Sequence, residues 1–151
     1  ELYYEFGRSK LADDMYISVF YAIINLDENT MLYSNAGLNV VPVIYNEKRF
    51  ELLRLPGIPI SNWMEKPGYV DGSTVLNPGD KLFIYSDGIL ELRNKQNEQY
   101  GEDRLLEILL HSHSSPKQIL QEIKISAFKF AEINSVNDLR DDVTMALLEI
   151  K

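Results

Sequence analysis

Along the first half of the chain, apolar and polar positions alternate in short β-branched and aromatic runs broken by turn formers. Met15 to Leu26 is the first such stretch, closed by the polar cluster Asp27-Glu28-Asn29-Thr30. Met31 to Ala36 follows, so the two are predicted to form an antiparallel hairpin. Further strands are expected at Val40 to Tyr45, around Phe50 to Leu53 and near Ser73 to Leu76. Asn77-Pro78-Gly79-Asp80 reads as a turn that feeds Lys81-Leu82-Phe83-Ile84-Tyr85, a run of strand length with the look of burial on both faces.

The period then changes from two to that of a helix. Glu102 to Leu110 spaces Leu105, Leu106, Leu109 and Leu110 on one helical side, and Ser115-Pro116 opens a longer helix with Ile119, Leu120, Ile123, Ala127, Phe128 and Phe130. Val143 to Ile150 reads as a closing strand after a polar loop, and Glu1 to Phe6 reads as the inside of a helix. Strands, then helices, then a strand that must rejoin the sheet predict an α+β fold.

Composition narrows the chemistry. The 151 residues suffice for one domain or a piece of one, with 45% hydrophobic and 25% charged positions and no run long enough to span a membrane. Fifteen basic against 23 acidic side chains give a net charge of -8, which repels a phosphate backbone and argues against nucleic acid as a partner. The absence of cysteine excludes thiolate catalysis and zinc–thiolate sites and agrees with a reducing, cytoplasmic setting. Hard oxygen ligands remain. The opening residues, with no initiator methionine, fit an excised or processed piece.

Two acidic loops sit at strand ends. Ser86-Asp87-Gly88 leaves the apolar run ending at Tyr85, and Asp141-Asp142-Val143-Thr144 begins the last strand. If these strands are neighbours, the carboxylates of Asp87 and Asp141 meet at one sheet edge, as a hard divalent cation requires. Alone, an Asp-Gly after a strand also reads as an ordinary turn.

Other residues read as structure. His111 and His113 fit a solvated helix end better than a metal pair, because no third ligand lies nearby. Trp63 is expected to pack its loop onto the body. Glu47, Glu51, Glu65, Asp71 and Asp80 are scattered singly and read as a solvated acidic surface. Ser18, Ser34 and Ser86 lack a base at useful spacing, which rules out a serine hydrolase.

The order of the motifs resembles the metal-dependent (PPM-type) protein phosphatases, specifically the bacterial stage II sporulation protein E kind. The resemblance is carried by Phe20 to Asp27 followed by Leu32 to Gly37, by Gly57-Ile58-Pro59-Ile60, and by Leu76 to Asp80 leading into Phe83 to Glu91. Tyr100-Gly101 with Arg104-Leu105, and Asp141-Asp142-Val143-Thr144, complete it. It implies an αββα sandwich of antiparallel sheets flanked by helices, of which residues 1–151 would be a part lacking the first metal-motif strands. It implies a binuclear Mn²⁺ or Mg²⁺ centre with Asp87 and Asp141 among its ligands, hydrolysing phosphoserine or phosphothreonine without a phosphoenzyme. The implied partner is a phosphorylated regulatory protein of the anti-sigma factor antagonist type, and no membrane contact is expected. Loss of the first strands would leave an unpaired sheet edge through which a homodimer could form. Two positions depart from the family: Leu38 stands where relatives commonly carry a histidine, and Ser61 where a glycine is expected. Leu38 and the missing first metal motif keep open a second reading, a catalytically degenerate scaffold for partner binding or dimerisation.

Overall fold

The computed structural model describes residues 2–8, 14–62 and 68–151. In chain order its elements are α1 (Leu2–Arg8), β1 (Tyr16–Ile17), β2 (Val19–Asn25), β3 (Thr30–Ala36), β4 (Val43–Asn46) and β5 (Arg49–Leu52). Then come β6 (Ile60–Ser61), β7 (Asp71–Val75), β8 (Lys81–Tyr85), a 3₁₀ turn at Asp87–Ile89, α2 (Gly101–His111) and α3 (Pro116–Ala131). A second 3₁₀ turn, Val136–Asp138, precedes β9 (Met145–Glu149). Every strand pairing among the described residues is antiparallel, so the α+β class expected from the sequence is the one observed. Trp63 and Glu65 lie outside the described residues.

The chain divides into two compact units, Glu1–Asn39 with Leu53–Asn77 and Val40–Leu52 with Pro78–Lys151. In the first, β2, β3 and β7 form one sheet and β1 pairs with β6. The expected hairpin is present, with Val19 opposite Ala36 and Asn25 opposite Thr30. The expected strand over Met15–Leu26 is interrupted at Ser18, because its two parts take different partners: Ile17 pairs with Ile60, and Val19 with Ala36. Ser61, the residue in place of an expected glycine, is buried in β6.

The family-like motifs of this unit interlock through backbone approaches that exclude a side chain. Gly37 has φ +78°, and a Cβ there would lie 2.4 Å from the Pro59 nitrogen. A Cβ on Gly57 would lie 2.0 Å from the Asn35 carbonyl oxygen. Asn35 holds the loop between them, accepting from the Leu38 N–H at 2.9 Å and donating to the Leu55 carbonyl at 3.0 Å.

In the second unit the strands run β5-β4-β8-β9. β4 begins at Val43 rather than Val40 because Pro42 has no N–H to give a ladder. β8 matches its predicted bounds, and Leu82, Phe83 and Tyr85 are buried. The helices follow the predicted periodicity. Ile119, Ile123, Ala127 and Ala131 recur every fourth residue as the buried stripe of α3, which packs on β9, while Leu105 and Leu109 bury one side of α2. A capping box of Ser115 and Gln118, with Pro116 in the first turn, starts α3, and Glu132 at φ 55° ends it.

One expectation is overturned here. Asp80 is not on a solvated surface but fully buried at the entry to β8. Its carboxylate accepts from Arg49 Nη1 at 2.9 Å and Asn46 Nδ2 at 2.5 Å, and its carbonyl accepts from the Ile150 N–H at 2.8 Å. A lone acid in a sequence carries no sign of the arginine that folding brings to it.

Tyr45, in β4, is also buried, and among the described residues its hydroxyl has no hydrogen-bond partner. Burial, then the nearby carboxylates of Glu122 and Glu149, push its pKa well above the ordinary 10.0. The folded chain thus keeps a proton that the unfolded chain releases above about pH 10, so stability present below that pH is lost as pH rises past it. Tyr45→Phe is expected to raise stability at neutral pH by about 1 kcal/mol, since it removes an unsatisfied buried group. It should also flatten the alkaline decline, by a slope that approaches one proton's worth only above about pH 10, read from urea denaturation between about pH 9 and 11. A less stable phenylalanine variant at neutral pH would count against this account.

Candidate metal centre

The site grows from the pairing of β8 with β9. Their register sets Tyr85 opposite Met145, so the loop leaving β8 and the loop entering β9 emerge at the same end of the sheet. Hydrogen bonds carry the pairing past the strands: the Ser86 N–H donates to the Thr144 carbonyl at 2.9 Å, and the Thr144 N–H donates to Ser86 Oγ at 3.0 Å. Ser86 Oγ also reaches the Asp142 carbonyl at 3.4 Å. Ser86 is therefore the clasp between the two acidic loops.

Gly88 lets the loops close. A Cβ there would lie 2.3 Å from the Asp142 carbonyl oxygen and 3.1 Å from its carbon, a distance no side chain tolerates without backbone movement. Its φ is not the reason; the reason is the approach of the neighbouring backbone. Gly88→Ala is accordingly expected to cost about 2–3 kcal/mol by overpacking. Thermal melts of this variant beside Gly68→Ala test it, because a Cβ on Gly68 meets nothing within 4 Å among the described residues. Equal melting temperatures for the two would remove the close approach as a constraint.

Asp87 heads the 3₁₀ turn, half-buried, and its carbonyl accepts from the Leu90 and Glu91 N–H groups at 2.8 and 3.0 Å. Asp141 is exposed, and its Oδ1 accepts from the Asp142 N–H at 2.8 Å. The two sequence-predicted site residues thus belong to loops tied together by hydrogen bonds. Both offer hard anionic oxygens, which suits Mn²⁺ or Mg²⁺. Among the described residues no three His, Cys, Asp or Glu side chains converge as a ready metal cage. His111 is exposed with its Nδ1 2.8 Å from the Glu107 carbonyl, a helix-end role as the sequence suggests.

What the sequence did not disclose is a cleft of about 400 Å³ beside this junction. Gly88 and Asp141 line it together with Arg93, Lys95 and Arg140. The only sequence signal for it is three cations flanking two acidic motifs in a chain of net charge -8.

Comparison with known proteins places this geometry in context. Residues 3–151 match the family model of stage II sporulation protein E (SpoIIE). Protein IcfG of Synechocystis is 29% identical over 110 residues, covering 73% of this chain and 17% of that protein. Phosphoserine phosphatase RsbU of Bacillus subtilis is 27% identical over 140 residues, covering 91% of this chain and 40% of that protein. The chain therefore spans well under half the length of either. Among solved structures, the SiaA-PP2C domain of Pseudomonas aeruginosa superposes with a TM-score of 0.78 at 15% identity, covering 96% of this chain and 56% of that one. The manganese-presoaked phosphatase domain of Bacillus subtilis SpoIIE gives 0.67 at 15% identity, over 99% of this chain and 71% of that one. At such identities the structural likeness defines the fold, a PP2C phosphatase-domain fold.

Proposed function

Because the chain belongs to the stage II sporulation protein E family, we propose that it is a metal-dependent protein serine/threonine phosphatase module acting on a phosphorylated regulatory protein. The observation that carries the reading is the junction at Ser86, Gly88 and Asp142, where the loops bearing Asp87 and Asp141 are clasped at one end of β8 and β9. That a relative is named a phosphoserine phosphatase supports the substrate class. The resemblance to the stage II sporulation protein E kind supports a substrate of the anti-sigma factor antagonist type in the cytoplasm.

In this reading Asp87 and Asp141 hold Mn²⁺ or Mg²⁺. Such an ion, when bound, lowers the pKa of a coordinated water and polarises a phosphoryl oxygen. The chain's own residues supply the frame: Ser86 fixes the spacing of the two loops, and Gly88 keeps the second backbone close. Asp142 contributes through its carbonyl, and its N–H steadies Asp141. Two carboxylates do not complete a binuclear site, so further ligands have to come from residues outside this pair.

Leu38, where relatives commonly carry a histidine, favours a second reading, a degenerate phosphatase-fold scaffold. Release of phosphate from a phosphoserine peptide by the full-length protein, with Mn²⁺ and after chelation, separates the two. Turnover that needs the metal is expected. No turnover, or a rate indifferent to chelation, would leave the scaffold.

A further inference from the structure

The cleft beside Asp141 contains more positive charge than the acidic chain around it would suggest. Its cations are Arg93, Lys95 and Arg140; its carboxylates are Glu91, Asp138 and Asp141. Their commitments differ. Lys95 is paired with Glu132, and Asp138 Oδ2 accepts from the Ser135 N–H at 3.0 Å, capping a turn. Arg93 Nη1 donates at 2.8 Å to the Asn97 carbonyl, a neutral acceptor, and no carboxylate pairs with it among the described residues. Arg140 is exposed, and no carboxylate pairs with it among the described residues. Of the acids, Asp141 is the proposed metal ligand, which leaves Glu91 against two guanidiniums.

The turn that bears Arg93 is held rigid. Asn94 Oδ1 accepts from the N–H groups of Gln96 and Glu98 at 3.0 and 2.9 Å, its Nδ2 donates to Glu98 Oε2 at 2.8 Å, and Arg93 bridges to Gln99. A guanidinium presented on such a turn loses little further freedom when it binds.

We propose that this cleft receives the polypeptide flanking the phosphoserine and that Arg93 and Arg140 select substrates with acidic side chains there. The inference rests on the phosphatase reading above. A cleft of about 400 Å³ is far larger than a phosphoryl group needs and suits a short stretch of chain. Planar guanidiniums match carboxylates through paired hydrogen bonds, which makes them the fitting recognition groups. The cleft shares Gly88 and Asp141 with the metal junction, so a peptide seated in it lies next to the proposed reaction centre.

Three fluorescein-labelled phosphoserine peptides, flanked by Asp/Glu, by Ala/Gly or by Lys, test this by anisotropy at low and moderate salt. Arg140→Ser and Arg93→Ser are each expected to weaken the acidic-flank peptide about 5-fold and together about 20-fold, while leaving the neutral peptide within about 2-fold. Arg140→Lys should restore part of the loss, and every variant should melt as wild type, since both side chains are exposed. Turnover of p-nitrophenyl phosphate with Mn²⁺, which has no flank to read, should be unchanged. Wild-type protein that binds none of the peptides or binds all three alike overturns the proposal, as does equal loss on every peptide and on p-nitrophenyl phosphate. Acidic-flank preference without any metal-dependent turnover would uphold the groove and reject the phosphatase reading. Metal-dependent turnover blind to the flank would do the reverse.

Discussion

Asp87→Asn or Asp141→Asn should each lower metal-dependent turnover of a phosphoserine substrate by at least about a hundredfold, the scale on which one well-placed charged group acts in such sites. Asparagine keeps the shape of aspartate but removes the anionic oxygen that a hard cation prefers. Neither side chain is part of the buried core, so the effect should appear without loss of fold. A binding readout accompanies it. Mn²⁺ that binds only the folded chain raises its melting temperature by mass action, and that rise should vanish in both variants. Asp142→Asn is the internal control, because Asp142 meets Ser86 through its backbone carbonyl, which the substitution leaves in place. Its turnover should stay within about threefold of wild type. Full metal-dependent activity in Asp87→Asn, or an Asp142→Asn defect as deep as the other two, would break the assignment.

The second large effect is one of stability. Arg49→Met is expected to destabilise the second unit by about 3–5 kcal/mol, because it removes the guanidinium that faces the fully buried Asp80 carboxylate. Burial works against the Arg49 charge, but the Glu51 and Asp80 carboxylates outweigh it and hold the guanidinium pKa above its ordinary value. Through Arg49, Asn46, Asp80 and Ile150 one cluster ties β5, β4, the entry to β8 and the exit of β9. A loss of that size is a large part of the roughly 5–15 kcal/mol that holds a domain together. The double variant Arg49→Met/Asp80→Leu should recover much of it, since replacing both partners removes the stranded charge. Chemical denaturation of the three variants checks both statements. A single Arg49→Met cost below about 1 kcal/mol would mean that Asp80 finds other partners.

Local pattern was enough for the elements whose cause is local. Lys81–Tyr85 emerged with its predicted bounds because an apolar run between Pro78-Gly79 and Ser86-Asp87-Gly88 has its ends marked by residues that turn. The helix of Pro116–Ala131 was legible from its capping residues and its four-residue stripe, and the hairpin of β2 and β3 from two strand-like runs about one short turn. The break at Ser18 was not legible. Both halves of that run are equally strand-like, and what separates them is that Tyr16–Ile17 finds β6 while Val19–Asn25 finds β3.

The sequence by itself determined the antiparallel α+β character, the two helices and the residue types at the candidate centre, since alternation, capping and hard oxygen donors are properties of neighbours along the chain. Tertiary structure alone decided which distant groups meet. It buried Asp80 against Arg49, left the Tyr45 hydroxyl without a hydrogen-bond partner among the described residues, closed Gly57 on Asn35 and Gly88 on Asp142, and opened the cleft that holds Arg93 and Arg140 beside Asp141. In each case the cause is an approach across tens of residues. Such contacts are set by strand order and loop closure, which no run of neighbouring side chains encodes.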